Sequence, residues 1–324
     1  MTVLKDISVV IPLLNEEESI GELYEWIKRV MHENQFSFEI IFVDDGSTDR
    51  SWRFINNISN SDENVKGIKF SRNYGKSAAL NTGFNYVSGA VVITMDADLQ
   101  DSPDEIPELY KMIVQEKYDL VSGWKKKRND PLNKTVPSKV FNYFTRVFTG
   151  IHIHDFNCGL KAYDQRVVKN INVYGEMHRY IPYIAKSSGF GKITEKVVEH
   201  RARKYGTTKF GMTRLITGFL DLLSITFVSK FRRRPMHFFG SMGTISFLLG
   251  LIITLYVISL KIYKIQMHQP ARNITDQPLF FLALVAVVIG VQLFLAGFLA
   301  EMLSLRGGNS KDEYIIIDKV GLHQ

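Results

Sequence analysis

The sequence predicts an α/β fold, a mostly parallel sheet with helices on both faces, followed by interfacial helices and a two-helix transmembrane hairpin. Three observations carry that reading. Apolar runs alternate with amphipathic stretches up to about Trp124, the pattern of strands joined by crossover helices. Polar clusters close four of those apolar runs in succession. Two C-terminal stretches, Phe238 to Leu260 and Pro278 to Ala300, hold no charged residue, and each exceeds the roughly 20 residues needed to cross a bilayer.

The elements follow in order. ISVVIPLL is the first strand; it is interrupted by Pro12, followed by acids and lacks a small-residue cleavage pattern, so it is not a signal peptide. A helix from Glu18 to Met31 leads to the strand FEIIFVDD, and a helix from Asp49 to Ile58 leads to VKGIKF. A helix from Lys76 to Val87 leads to AVVITMD, and one from Glu105 to Glu116 leads to YDLVSGW. In such sheets ligands bind beyond the carboxyl ends of the strands. The clusters Asn15 and Glu16, Asp44 and Asp45, Arg72 and Asn73, and Asp96 and Asp98 therefore converge on one rim.

Net charge is +7 over 324 residues, which points to phosphorylated substrates or an anionic membrane surface as partners. Nucleic acid is disfavoured, because the positive excess clusters beside the apolar spans without interleaved aromatics. Cys158 is the only cysteine, so there is no internal disulfide. The expected layout is residues 1–210 as the soluble domain, 211–235 as amphipathic juxtamembrane helices, 236–302 as two spans and 303–324 as a tail. KFRRRP before the first span, against Lys261, Lys264 and Arg272 in the connecting loop, favours a cytoplasmic soluble domain. Gly290, Gly297, Ala283 and Ala286 suit close helix contact, within the hairpin or in a homo-oligomer.

Asp96 and Asp98 stand two apart in an expected extended segment, so their side chains leave one face. Hard oxygen ligands with open positions suit Mg²⁺ or Mn²⁺ held together with a diphosphate. Gln100 follows in the same segment as a further ligand, whereas Asp101 and Ser102 ahead of Pro103 read as helix-capping residues.

VVIPLLNEEESI, IIFVDDGSTD, SRNYGKSAALNTGF and MDADLQD, in that order and spacing, resemble the nucleotide-sugar domain of family-2 glycosyltransferases with the GT-A fold. The resemblance implies that Pro12, Asn15, Glu16, Glu17, Asp44 and Asp45 surround the nucleoside. It also implies that Arg72, Asn73, Gly75 and Lys76 line the nucleotide pocket, that Asp96 approaches ribose and metal, and that Asp98 binds the metal. Gly83 is expected to serve helix packing. DFNCGLKAYDQRVVKNI, EMHRYIPYIAKSSGF and RKYGTTKFG are similar to the dolichyl-phosphate mannosyltransferase and bactoprenol-phosphate glucosyltransferase branch. The Gln-x-x-Arg-Trp signature of processive synthases is absent; the tryptophans are Trp26, Trp52 and Trp124.

That branch implies a UDP- or GDP-sugar donor, a polyprenyl phosphate acceptor, contact with membrane lipid, and the inner membrane of a bacterial cell. A phosphate monoester is substantially ionised near pH 7, its second pKa being about 6, so it needs cations more than a general base. GWKKKRNDPLNKTVPSK supplies Lys125, Lys126, Lys127, Arg128, Lys134 and Ser138, of which Arg128, Lys134 and Ser138 are the expected acceptor-phosphate residues. Arg203 and Lys209 match the branch's Arg-x-x-Gly-x-Ser-Lys pattern, with Thr208 in place of serine; either phosphate is a possible partner. Asp155 matches a position that the branch uses near the reacting centre, which implies a role in orienting the sugar or acceptor. Glu176 in EMHRY lacks the following Asp that hydroxyl-directed relatives use as a base. The rival readings are transfer to a lipid or glycan hydroxyl, dependent on Glu176, and a non-catalytic nucleotide-sugar sensor.

Overall fold

Burial along the first strand is continuous from Ile7 to Leu13 because both faces of the sheet are covered, and the strand is apolar on both sides. A computed structural model of the chain describes residues 5–126, 142–143, 145–147, 149–201, 204, 235–270, 272–306 and 316–321. The chain forms two units: Met1–Thr226 with Asp312–Gln324, and Phe227–Lys311.

In the first unit, β1 (Lys5–Leu13), α1 (Ile20–Glu33), β2 (Phe38–Asp44), α2 (Ser51–Ser61), β3 (Val65–Phe70), α3 (Lys76–Tyr86), β4 (Gly89–Thr94), α4 (Ile106–Val114) and β5 (Leu120–Trp124) follow the expected alternation. The chain then adds β6 (Lys161–Asp164), α5 (Gln165–Asn170), α6 (Ile181–Ser187), β7 (Ile193–Val197) and β8 (Ile316–Val320). Strand order is β7-β5-β6-β4-β1-β2-β3-β8. The pairs β1–β2, β1–β4, β2–β3 and β5–β7 are parallel, and only β6 and β8 run against the rest. The sheet is therefore mostly parallel, as expected.

α1 buries Ile20, Leu23, Tyr24, Ile27, Val30 and Met31, the i, i+3, i+4 stripe of a helix lying on a sheet. α3 packs on the opposite face through Gly83, where a Cβ would meet Val10 Cγ1 at 2.4 Å, so the expected packing role holds. Pro12 is tolerated in a central strand because Val10 O already accepts from Met95 N, beyond the last paired residue of β4. Pro12, two positions on, faces the same side, where no ladder partner remains to need its missing donor. Glu39 is a buried charge in β2, but it is answered by Lys66 Nζ at 2.6 Å and by the Ser8 hydroxyl at 2.5 Å.

The second unit is a hairpin of α7 (Pro235–Gln266) and α8 (Pro278–Arg306), both long and apolar enough to cross a membrane. Its small residues are used within the hairpin. A Cβ on Gly243 would meet Gly290 O at 2.7 Å, and one on Gly250 would meet Ala283 O at 2.7 Å. Ser246 Oγ donates to Ala286 O at 2.8 Å, and Glu301 accepts from Met236 N at 3.2 Å, satisfying a first-turn donor of α7.

Candidate active site at the carboxyl rim

Strand order turns at β1, which has β2 on one side and β4 on the other. That is the switch point at which open α/β sheets bind ligands. After β1, Asn15 takes a left-handed conformation (φ 57), which Asn tolerates better than most residues. Its amide donates to Ser47 Oγ at 2.9 Å and its Oδ1 accepts from Thr48 N at 2.8 Å, locking the ends of β1 and β2 together. Glu16 N donates to Ser51 Oγ at 3.0 Å, and Glu17 accepts from Arg50 N at 2.8 Å.

After β2, Asp44 is fully buried; one oxygen accepts from Ser47 N at 2.7 Å and Oδ2 has no hydrogen-bond partner. Asp45 accepts from Tyr74 N at 2.7 Å and Gly75 N at 2.9 Å. It therefore holds the Arg72–Lys76 loop in place, and Gly75 supplies the positive φ of 93° that the turn into α3 requires. Burial pushes both carboxyls up, against the hydrogen bonds that pull them down.

β4 ends at Thr94, and the segment beyond it is not extended throughout. Met95, Ala97 and Leu99 are buried while Asp96, Asp98 and Gln100 are half-exposed, so the expected alternation survives. However, Ala97 and Asp98 form a turn and Leu99 adopts a φ of 60°. Gln100 consequently lies past a bend, with its Nε2 donating to Arg201 O at 3.4 Å. This corrects the expectation of one extended segment from Asp96 to Gln100.

Asp96 pairs with Lys76. Burial works against its charge, but Lys76, Lys125 and Lys161 outweigh that and hold its carboxyl at about 2. Asp98 moves the other way: burial, then the charges of Asp96 and Asp101, push it up to about 6. Gly159 lies against Asp96, and a Cβ there would stand 2.6 Å from its Cγ. Asp101 is not the exposed cap the local pattern suggests. It is fully buried, with Lys125 Nζ 2.8 Å from Oδ1 and no hydrogen-bond partner on Oδ2. Burial disfavours the Lys125 charge, yet Asp101 holds it well above the ordinary lysine range.

Asp155 is buried, its Oδ1 accepting from Asn157 N at 3.0 Å. A small cavity behind Asp96 is lined by Lys76, Thr94, Asn157, Gly159, Lys161 and His178, among others. Lys161, nearly fully buried, donates to the carbonyls of Phe156 and Cys158, and burial lowers its pKa. Burial also holds His178 well below the ordinary histidine range, with Lys76 and Arg179 adding to the effect, and its Nδ1 lies 3.1 Å from Ser77 Oγ. Burial pushes the Cys158 thiol up to about 12, which makes it unreactive.

The structure thus brings Glu16, Glu17, Asp44, Asp45, Lys76, Asp96 and Asp98 to the ends of three adjacent strands. Arg72 and Asn73 stand exposed on the neighbouring loop, Arg72 lying 4.9 Å over the Tyr74 ring. Arg128, Lys134, Ser138, Arg203 and Lys209 lie outside the described residues. Lys125 was grouped with the acceptor cations, and its buried pairing was not foreseen; Lys161 and Gly159 were not singled out at all. Lys125 and Gly159 act through Asp101 and Asp96, distant in sequence, and Lys161 is marked by its burial, which tertiary packing sets.

A divalent cation fits the rim. Asp98 carries a charge that its acidic neighbours oppose, and the donors are hard oxygens. Among the described residues no three His, Cys, Asp or Glu side chains converge as a metal cage.

An acidic rim across the switch point of a mostly parallel sheet, in a chain with two membrane-length helices, is the arrangement the GT-A resemblance implies for a membrane-anchored transferase. The chain belongs to glycosyl transferase family 2, which its residues 8–171 match. It is 34% identical over 304 residues to the dodecaprenyl-phosphate galacturonate synthase of Rhizobium johnstonii, covering 92% of this chain and 88% of that one. It is 33% identical over 260 residues to the undecaprenyl-phosphate 4-deoxy-4-formamido-L-arabinose transferase of Yersinia pestis, covering 80% and 77%. Among solved structures it is similar to glucosyl-3-phosphoglycerate synthase from Mycobacterium tuberculosis in complex with Mn²⁺, UDP-glucose and phosphoglyceric acid. The TM-score is 0.53 at 20% identity, over 68% of this chain and 80% of that one, a likeness of fold.

Proposed function

We propose that this glycosyltransferase moves a sugar from a UDP- or GDP-sugar to a polyprenyl phosphate and inverts the anomeric carbon. The observation that carries the donor half is the convergence of Asp44, Asp96 and Asp98 with Lys76 on one rim. The acceptor half rests on the two curated relatives, both named for polyprenyl-phosphate products or acceptors, and on the two membrane-length helices.

A phosphate oxygen of the acceptor attacks the anomeric carbon as the bond to the diphosphate oxygen breaks, and the nucleoside diphosphate departs with the electron pair. No base is needed, because the attacking phosphate is already ionised near pH 7. Glu16, Glu17 and Asp44 surround the nucleoside, and Asp45 sets the Arg72–Lys76 loop against it. Bound Mg²⁺ or Mn²⁺, held by Asp96 and Asp98 with Gln100, would supply charge stabilisation for the departing diphosphate. Asp155 orients sugar or acceptor; Arg128, Lys134, Ser138, Arg203 and Lys209 hold phosphate. The catalytic domain, residues 1–210 joined by β8 in place of the free tail expected over 303–324, sits on the cytoplasmic side of a bacterial inner membrane and 236–302 anchor it; the expected juxtamembrane stretch up to 234 lies outside the described residues.

The test is transfer of labelled sugar from a panel of UDP- and GDP-sugars to short polyprenyl phosphate, with Mg²⁺ or Mn²⁺ and with chelator. Metal-dependent formation of a lipid-linked monosaccharide is the expected result. Transfer only to an alcohol acceptor, lost in Glu176→Gln, would replace it with the hydroxyl-directed reaction.

A further inference from the structure

Beyond β7 the chain stays beside the acidic turn. His200 bridges Asp101, Arg201 N donates to Gln100 O at 3.0 Å, and Gln100 Nε2 returns a bond to Arg201 O at 3.4 Å. Residues 200 and 201 are therefore a short antiparallel strap on the segment that follows Asp96 and Asp98.

The strap is fastened to α1. The Arg201 guanidinium lies 4.2 Å over the Trp26 ring, and Lys204 Nζ donates to Glu22 Oε2 at 2.7 Å, one turn earlier on the same helix. Trp26 also reaches the downstream side of the acidic turn, its Nε1 donating to Asp104 Oδ1 at 2.9 Å. One half-buried indole thus touches the residue strapped to Gln100 by its face and Asp104 by its edge. α1 itself follows directly on Asn15 to Glu17, so it ties the first polar cluster to the last.

The charged members of this set are poorly suited to stabilising the fold. Lys204 and Glu22 are about half exposed, Arg201 likewise, and exposed ion pairs contribute little to stability. Their placement is specific: Arg201 and Trp26 bear on the segment from Gln100 to Asp104, and Lys204 ties the same strap to α1.

We infer that Trp26 is a positioning residue for the donor site, clamping the turn that carries Asp96 and Asp98 through Arg201 and Asp104. The inference rests on the donor reading above. Without the clamp, the turn samples orientations that do not meet the diphosphate, and donor affinity falls.

The experiment titrates the full-length, detergent-solubilised protein with UDP and with GDP in Mn²⁺, by calorimetry, beside thermal melting and steady-state kinetics. Trp26→Ala is expected to weaken the nucleotide that binds by about tenfold, in the range by which residues outside a ligand site modulate binding. Donor KM should rise in step; the melting temperature falls in Trp26→Ala, which removes an indole packed against the core, and stays near wild type in Arg201→Ala, whose side chain is about half exposed. Trp26→Phe keeps a ring face for Arg201 and should recover most of the affinity; Arg201→Ala should repeat the loss. Unchanged affinity in Trp26→Ala and Arg201→Ala overturns the clamp, and so does a Trp26→Phe variant as weak as Trp26→Ala. Wild-type protein that binds neither nucleotide overturns the donor reading itself and the clamp with it.

Discussion

Asp98 carries the sharpest residue-scale expectation, because its carboxyl is pushed up to about 6 by burial and by Asp96 and Asp101. A group held in such company is costly unless its charge is used, so replacement should spare the fold and remove the chemistry. Asp98→Asn is expected to lower kcat about 10²- to 10³-fold, the cost of one lost electrostatic contact to a charged transition state, with an unchanged melting curve. Normal turnover would remove Asp98 from the metal assignment. Lys125 and Asp101 make the opposite case, a buried pair whose loss falls on stability. Lys125→Ala leaves the fully buried Asp101 without its countercharge, which costs about 3–5 kcal/mol. For a domain of this size that lowers the melting temperature by roughly 6–20 °C. Pairing Lys125→Met with Asp101→Leu should recover much of it, since an apolar pair leaves no buried charge behind. The Asp-Ser-Pro pattern reads locally as a cap because capping is a local signal, whereas the partner of Asp101 lies just past the end of β5.

At the scale of elements, the five strands and four helices up to Trp124 were legible because each is an apolar run or amphipathic stripe that declares its own period. β6, β7 and β8 were not. β7 is only half-buried along its length, β6 is four residues long, and β8 completes the sheet beside β3 from the far end of the chain. Such pairings are set by tertiary neighbours rather than by pattern. The bend at Leu99 was hidden for a related reason: a buried leucine at positive φ is held by its core contacts, not announced by a glycine. The end of α2 supplies a stability prediction. Burial opposes the charge of Asp62, but Asn64 N, the Tyr24 hydroxyl and Lys28 outweigh it and hold its carboxyl at about 2. A folded pKa below the unfolded one gives stability that is present above about pH 4 and lost as pH falls through 2. The contribution is about 2 kcal/mol. Asp62→Asn should therefore destabilise the wild-type domain at pH 6, and the difference between the two should shrink as acid is added. Equal denaturant midpoints at pH 6 would dissociate Asp62 from the join between α1, α2 and β3.

For the whole molecule, sheet topology constrains membrane topology. β1 and β8 belong to one sheet, yet the hairpin of α7 and α8 lies between them in sequence. The chain must therefore leave and re-enter on the same side of the bilayer, which requires an even number of crossings. The two membrane-length helices meet that requirement. Charge predicts the side: KFRRRP precedes the first span, whereas the loop between spans carries fewer basic residues, which favours a cytoplasmic first unit. Single cysteines make this measurable, because Cys158 is buried with its thiol at about 12 and leaves little background. Glu33 and Lys319 are exposed on the first unit, and Gln269 is exposed between α7 and α8. A membrane-impermeant maleimide added to intact cells should label Gln269→Cys and neither of the others. In inside-out vesicles Glu33→Cys and Lys319→Cys should label together, and Gln269→Cys should not. The reverse pattern would put the catalytic rim outside. Glu33 and Lys319 labelling from opposite sides would mean that β8 does not pair with β3 in the membrane-bound protein, since two strands of one sheet cannot be divided by a bilayer.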